Sequence, residues 1–312
     1  MTRVAFGSIA TLLLLITVFL FPPLSTGGDL GLCLPSPNQW QLPRWLGWLI
    51  NTLIIFLSAA IIHTANKKFN FISDAEPVVA LALMLLLACN CITTSSLNTS
   101  TLLLLCNVLC LFILFTTYEA RNATREFFVI GTLPAIGAMT QYAFLVMIPV
   151  YIGGGLLMKS FRVRELIAFV FGLLAPYWIA LGLGMVSPFE FRLPDHLTIF
   201  NRAEVESDIF YTLLAAGIMA FMGVILALYN GVRLFSRNSR LRCMHMTINL
   251  MGCVALLAVI FDFNNFVAYF ATIALWLAVE FASMLNLYNI RHVGISLMIL
   301  LLIFLPLYIL AI

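Results

Sequence analysis

The sequence predicts an all-α protein, a polytopic transmembrane helical bundle that forms a single integral membrane domain over residues 1–312. Hydrophobic residues make up 63% of the chain and charged residues only 9%, against about a quarter charged in an ordinary soluble domain. The apolar residues also come in uncharged runs near the length of about 20 residues that crosses a bilayer. A soluble fold could not hide them, because folding leaves about a quarter of the unfolded surface in water.

These uncharged runs predict about 11 membrane segments. The first follows Arg3 and is expected to be retained, because the small-residue cleavage site a signal peptide needs is weak near 25–28. The run 127–158 is too long for one crossing and short for two, and we expect a hairpin of two short helices joined by a polar elbow at Thr140 and Gln141. The predicted segments are 4–21, 46–63, 78–91, 102–117, 126–139, 142–158, 166–185, 209–232, 244–261, 266–285 and 294–312.

The distribution of Lys and Arg predicts the orientation, because basic residues in short loops mark the cytoplasmic side. Basic residues flank the hairpin 126–158 on both sides, so the hairpin must cross an even number of times. With the N terminus in the cytoplasm, thirteen of the 16 Lys and Arg residues are cytoplasmic, and Arg44, Arg192 and Arg202 are not. We therefore expect the C terminus and an exterior loop at 93–100 on the opposite side.

Glu280 is the one acidic residue well inside a predicted segment, 266–285. A charge at that depth costs about 2.5 kcal/mol or more unless it is paired, hydrated or neutralised. Glu280 is therefore either a proton or ion site, or a carboxyl hydrogen-bonded to a neighbouring helix. We expect it to face the bundle interior and to contact a polar or basic side chain, with His63 and the basic stretch 233–242 as candidate partners.

Three further polar residues are candidates for binding. Gln141 lies at the elbow of the hairpin, where we expect it to be shielded from lipid because unpaired backbone groups are not tolerated in hydrocarbon. Asp262 and Asn265 follow the segment 244–261. A tight turn between helices would use the same residue types, because Asp and Asn cap helices and accept unusual backbone angles.

Asp195 and His196 lie in the longest predicted exterior loop, 187–208. Carboxylate and imidazole groups are ordinary ligands of divalent cations, although a solvated acidic loop has the same composition and no ligand spacing predicts a metal site. No Walker loop, dinucleotide fingerprint, HExxH or Cys-x-x-Cys motif is present, so no cofactor is implied. Anionic membrane lipids are the expected partner of the basic stretch 233–242, and a net charge of +3 is too small to suggest nucleic acid.

Residues 118–177 carry a resemblance to known proteins. YEARNATREF, FFVIGTLPAIGAMTQYAFLVMIPVYIGGGLLM and FRVRELIAFVFGLLAPYW resemble an uncharacterised family of multi-pass inner-membrane proteins of Bacteroidetes-type bacteria, which implies the bacterial inner membrane and a periplasmic C terminus. The elbow after a basic loop is also similar to membrane glycosyltransferases that use polyprenyl-phosphate sugars. In those enzymes an acidic residue of the first exterior loop is the base or a metal ligand, and Asp29 has that position here.

Three functions compete at this point. The first, which the short loops and the lack of a catalytic constellation favour, is a structural or accessory protein of the envelope, with membrane lipids and envelope proteins as partners. The second is an enzyme acting on a polyprenyl-phosphate-linked substrate, with Asp29 as base and Asp195 or Asp262 helping to bind a metal. The third is a transporter in which Glu280 is the proton or ion site and the broken hairpin is a gate.

Overall fold

The structure, a computed structural model, describes residues 2–20, 32–40, 42–72, 77–186, 207–234, 238–287 and 293–310. Regular structure in these ranges is entirely helical. Asp29, Asp195 and His196 lie outside them. The α-helices are α1 Thr2–Leu20, α2 Arg44–Phe69, α3 Val78–Ala88, α4 Cys91–Ser95, α5 Thr99–Thr116, α6 Thr124–Thr140, α7 Ala143–Val146, α8 Ile148–Leu157, α9 Val163–Gly182, α10 Ser207–Leu234, α11 Ser239–Phe261, α12 Phe266–Leu287 and α13 Val293–Leu310.

Among the described residues, seven helices are long and apolar enough to cross a membrane: α2, α5, α9, α10, α11, α12 and α13. The chain is therefore an all-α, multi-pass membrane protein, as the sequence predicts. The figure of about 11 segments is not confirmed. Three of the remaining predicted segments coincide with the shorter apolar stretches Gly7–Ile16, Val78–Ala88 and Ala143–Leu157, and the fourth with α6, which has 17 residues.

Helix α12 is the central helix of the bundle. In its most apolar stretch 94% of the residues are buried inside the protein, whereas the figure for α10 is 28%. It packs against α3, α5, α10 and α11. Gly223 of α10 and Gly252 of α11 make room for the Trp276 ring, which a Cβ at Gly252 would approach to 2.3 Å. A helix surrounded in this way must satisfy its polar side chains within the protein.

Helices α6 and α9 approach each other closely through two glycines. A Cβ on Gly131 would lie 2.3 Å from the backbone oxygen of Phe169, and one on Gly172 would lie 2.2 Å from the backbone oxygen of Phe128. Small residues at a helix crossing let two backbones come together, which is how membrane helices commonly pack. This contact holds the first arm of the hairpin against α9.

The hairpin is broken where the sequence predicts. Helix α6 ends at Thr140, and Gln141 has an extended backbone with φ −161° and ψ 132°. The second arm is itself divided at Met147, between α7 and α8, and Pro149 lies in the first turn of α8. Gln141 is 3% exposed, so the expectation that it is shielded from surrounding lipid is confirmed.

The segment 89–101, which includes the loop expected at 93–100, is folded into short buried elements, and its expected position on the exterior side stays a prediction. Helix α3 ends early, and the side chains of Asn90 and Asn98 accept hydrogen bonds from the first turns of α4 and α5. These short polar elements are buried. They are tolerated inside the protein because neighbours satisfy them, as where Asn51 Nδ2 donates to Thr93 O at 2.9 Å and Thr101 Oγ1 donates to Asn51 Oδ1 at 2.6 Å.

Candidate functional site

Basic residues from two helices meet at one end of the bundle. The Arg240 guanidinium, at the start of α11, lies 5.8 Å from the centre of the Phe69 ring and 5.9 Å from that of Tyr118. Lys68, near the end of α2, lies 5.0 Å from the centre of the Phe112 ring of α5. The end of α2, the end of α5 and the start of α11 are therefore neighbours, and we call this the basic end.

The Glu280 carboxyl is completely buried about two turns before α12 ends at Leu287. Asn230 of α10 donates from Nδ2 to Glu280 Oε2 at 2.7 Å and to the Glu280 backbone oxygen at 2.8 Å. Glu280 thus faces the bundle interior and contacts a polar side chain, as expected.

His245 of α11 is the second partner of Glu280, in place of His63, which the sequence suggested. Its Nδ1 lies 3.9 Å from Glu280 Oε1, and its Nε2 lies 3.1 Å from the backbone oxygen of Phe71 and 3.3 Å from Ser283 Oγ. A carbonyl oxygen can only accept, so these partners assign a proton to Nε2. Nδ1, the nitrogen that faces Glu280, is then the acceptor nitrogen of the neutral ring.

Three atoms of this cluster have no hydrogen-bond partner: Asn230 Oδ1, His245 Nδ1 and Glu280 Oε1. They come from α10, α11 and α12, and all three side chains are at most 2% exposed. An unsatisfied buried polar group costs about 1–3 kcal/mol, so a purely structural contact gains nothing by leaving three together. We take Asn230, His245 and Glu280 as the candidate site, and call them the Glu280 cluster.

The sequence-predicted residues Gln141, Asp262 and Asn265 meet elsewhere in the bundle, between the hairpin elbow and the α11–α12 turn. Gln141 Nε2 donates to Asn265 Oδ1 at 2.7 Å. Asp262 accepts from the Tyr142 hydroxyl at 2.5 Å and from the Tyr269 hydroxyl at 2.9 Å. The turn interpretation is confirmed, because a short 3₁₀ helix at Phe263–Asn265 joins α11 to α12. A binding role for these residues stays a prediction.

Polar side chains between the two clusters are paired with neutral partners. Thr272 of α12 accepts from Asn107 Nδ2 at 2.9 Å, and Asn107 Oδ1 accepts from the Tyr151 hydroxyl at 2.6 Å. Trp276 Nε1 donates to Asn249 Oδ1 at 2.8 Å. These contacts tie α12 to α5, α8 and α11, whereas three unpaired atoms belong to the Glu280 cluster.

Sequence reasoning missed Asn230 and His245. His245 lies three residues after the basic stretch 233–242 and was not considered as a partner of Glu280. It also lies inside the predicted segment 244–261, and a second ionisable group at membrane depth calls for a partner just as Glu280 does. In the described part of the chain, no three or more His, Cys, Asp or Glu side chains are grouped to hold a metal ion.

No family model, curated protein or solved structure matches this chain. The resemblance of residues 118–177 to inner-membrane proteins and to glycosyltransferases accordingly stays an expectation from the sequence. What the fold supports is a multi-pass helical membrane protein in contact with lipid.

Proposed function

We propose that this protein is a transporter in which Glu280, together with His245, takes up and releases a proton. The observation that carries the proposal is the fully buried Glu280 carboxyl, which faces His245 Nδ1 at 3.9 Å while both facing atoms lack a hydrogen bond. Ionisable residues at membrane depth are costly, and they are typical of proton relays and ion pathways.

The pair can change its charge without rearranging its neighbours. Asn230 can hold Glu280 Oε2 in either protonation state, because that oxygen accepts in both. With one shared proton the pair is neutral overall, with a second it is positive, and with none it is negative. A site that exchanges one proton in this way can couple proton movement to the movement of another solute.

Other ionisable groups near the cluster are few. Of the helices packed against α12, α3 has none, and α5 has only Cys106 and Cys110. Helix α11 contributes His245, Arg240, Arg242, Cys243 and Cys253. Helix α10 carries Asp208 and Tyr211 in its N-terminal part, and Tyr229 and Arg233 close in sequence to Asn230. The interrupted helices α3–α4 and α6–α8 resemble the discontinuous helices that line transporter sites.

The competing functions have weaker support. Asp262 is held by two tyrosine hydroxyls, which occupy the oxygens that a glycosyltransferase metal would need, and Asp29 and Asp195 lie outside the described residues. A structural or accessory role in the envelope is the alternative if Glu280 only ties α12 to α10. The two readings differ in whether Glu280 changes protonation state.

Infrared spectroscopy of the purified protein in lipid tests the proposal. As the pH is lowered, we expect a carboxylic-acid C=O band to grow in the wild-type spectrum and to be missing in Glu280→Gln. Glu165→Gln is the matched control, because Glu165 is a second buried glutamate, 2% exposed, in the first turn of α9. If Glu280→Gln leaves the pH-dependent spectrum unchanged, the transporter proposal fails and the accessory role is favoured.

We also propose that the chain forms one domain in a bacterial inner membrane, with eleven segments, the N terminus and the basic end cytoplasmic, and the C terminus periplasmic. The distribution of basic residues supports this orientation. In a variant lacking the native cysteines, we expect an impermeant thiol reagent to label Phe200→Cys from the periplasm and Asn238→Cys only from the cytoplasm. Labelling of both from the same side would contradict the arrangement.

A further inference from the structure

The unpaired atoms of the Glu280 cluster have one chemical property in common: each accepts hydrogen bonds. Glu280 Oε1 is an acceptor when the carboxyl is ionised, and Asn230 Oδ1 is an acceptor because the amide nitrogen already donates to Glu280. His245 Nδ1 is an acceptor in the neutral ring, since Nε2 holds the proton opposite Phe71 O. The site therefore calls for a ligand that brings several donors and a positive charge.

The number of hydrogen-bond donors on a ligand and the charge of that ligand limit which ligands suit this site. An anion is excluded because the Glu280 carboxylate would repel it and because none of the three unpaired atoms can donate a hydrogen bond to it. A water molecule has only two hydrogens, and Mg²⁺ or Ca²⁺ takes about six or more oxygen ligands, whereas this site offers two oxygens and one nitrogen. A primary ammonium group has three N–H donors and one positive charge, and it matches the three acceptors in number and the carboxylate in sign.

The distance between Glu280 Oε1 and His245 Nδ1 is compatible with an ammonium ligand. Hydrogen bonds from an ammonium to a carboxylate are about 2.7–2.9 Å long. A single nitrogen can lie at that distance from both Glu280 Oε1 and His245 Nδ1, because the two atoms are 3.9 Å apart. Arg240, five residues before His245 in α11, has its guanidinium against the Phe69 and Tyr118 rings, which help to hold it in place.

Building on the proposed function, we propose that the Glu280 cluster binds a primary ammonium group in exchange for the Glu280 proton, so that the solute is a protonated amine. Binding requires the ionised carboxylate, so the protonated carboxyl and the ammonium ion give the carboxylate–ammonium pair and one released proton. Atoms and charge balance, and the exchange couples an amine to a proton at one site.

Methylammonium is the probe that tests this exchange. At a pH where wild-type Glu280 is partly protonated, we expect methylammonium to reduce the carboxylic-acid band, and tetramethylammonium or Na⁺ at the same concentration to leave it unchanged. Tetramethylammonium has the charge without an N–H donor, and Na⁺ is a cation of a different ligand preference. Equilibrium dialysis of radiolabelled methylammonium gives a second readout that does not depend on the infrared band.

The variants separate binding from folding. We expect Glu280→Gln to abolish methylammonium binding, His245→Leu to weaken it by about tenfold or more through loss of one acceptor, and Glu165→Gln to leave it unchanged. Size-exclusion chromatography in detergent shows whether each variant is folded. If Glu280→Gln proves unstable, Glu280→Asp is the variant to use, because it keeps the carboxylate and should retain measurable binding.

The other outcomes distinguish failure of the ammonium site from failure of the proton site on which it rests. If Glu280 titrates but methylammonium has no effect, or tetramethylammonium or Na⁺ is equally effective, the ammonium site is wrong and the proton site stands. If no band changes with pH, the proposed function itself fails.

Discussion

Gly172→Ala should lower the stability of the protein by about 2–3 kcal/mol or more. The new methyl group would lie 2.2 Å from the backbone oxygen of Phe128 and 3.0 Å from its carbonyl carbon. Because these are backbone atoms in the interior of α6, no side chain can rotate away, and α6 and α9 must separate. Thermal unfolding in detergent, followed by fluorescence-detected size-exclusion chromatography, measures the change.

Gly217→Ala is the matched control for this substitution. Gly217 lies inside α10, and a Cβ there would meet nothing within 4 Å. Alanine is favoured over glycine in a helix interior by about 0.8–1 kcal/mol, so we expect a small gain in stability. The same chemical change should therefore have opposite signs at the two sites. Similar unfolding temperatures for both variants would show that the α6–α9 backbones are not in close contact.

Asp262→Ala should cost about 2–5 kcal/mol, because several buried donors lose their acceptor at once. The hydroxyls of Tyr142 and Tyr269 and the amide of Asn265 all point to this carboxyl, which is 3% exposed. The loss should loosen the elbow of the hairpin from the α11–α12 turn. Asp262→Asn should cost less, because the amide keeps the shape and one acceptor oxygen.

A double-mutant cycle isolates the contribution of this contact. Tyr142→Phe removes one of the donors, so Asp262→Ala should be less damaging in the Tyr142→Phe background than in the wild type. Residues in one hydrogen-bond network typically show coupling energies of about 0.5–3 kcal/mol. Strict additivity of the two unfolding penalties would mean that Tyr142 and Asp262 do not stabilise each other, and that the elbow is held by apolar contacts alone.

The two polar clusters were predictable to different degrees. The sequence alone identifies Glu280 as exceptional, because a carboxyl inside an apolar segment is costly whichever helix faces it. Its partner Asn230 is 50 residues away along the chain, and Gln141 and Asn265 are 124 residues apart. Hydropathy says nothing about such pairs, because the face that a buried helix turns to each neighbour depends on packing, and α12 is apolar on nearly all sides.

The polar segment 89–101 is a second case in which the sequence does not reveal the partners of buried polar side chains. Its Asn, Thr and Ser residues are typical of a loop between two apolar segments. In the fold Asn90 and Asn98 cap short helices, and the segment contacts Asn51 of α2 and Thr212 of α10. Hydrogen-bond partners on other helices offset the free-energy cost of burying this segment.

The sequence by itself determined the class of the protein, the break at Gln141 and the exceptional position of Glu280. Each of these depends on local properties: the transfer free energy of apolar residues, the interruption of a helix by polar residues and proline, and the cost of an isolated charge. Only the tertiary structure decided that Asn230 and His245 are the partners of Glu280 and that Asp262 holds the hairpin elbow. Those contacts depend on how the helices rotate and pack against one another. Residues that are far apart in the chain determine this packing jointly.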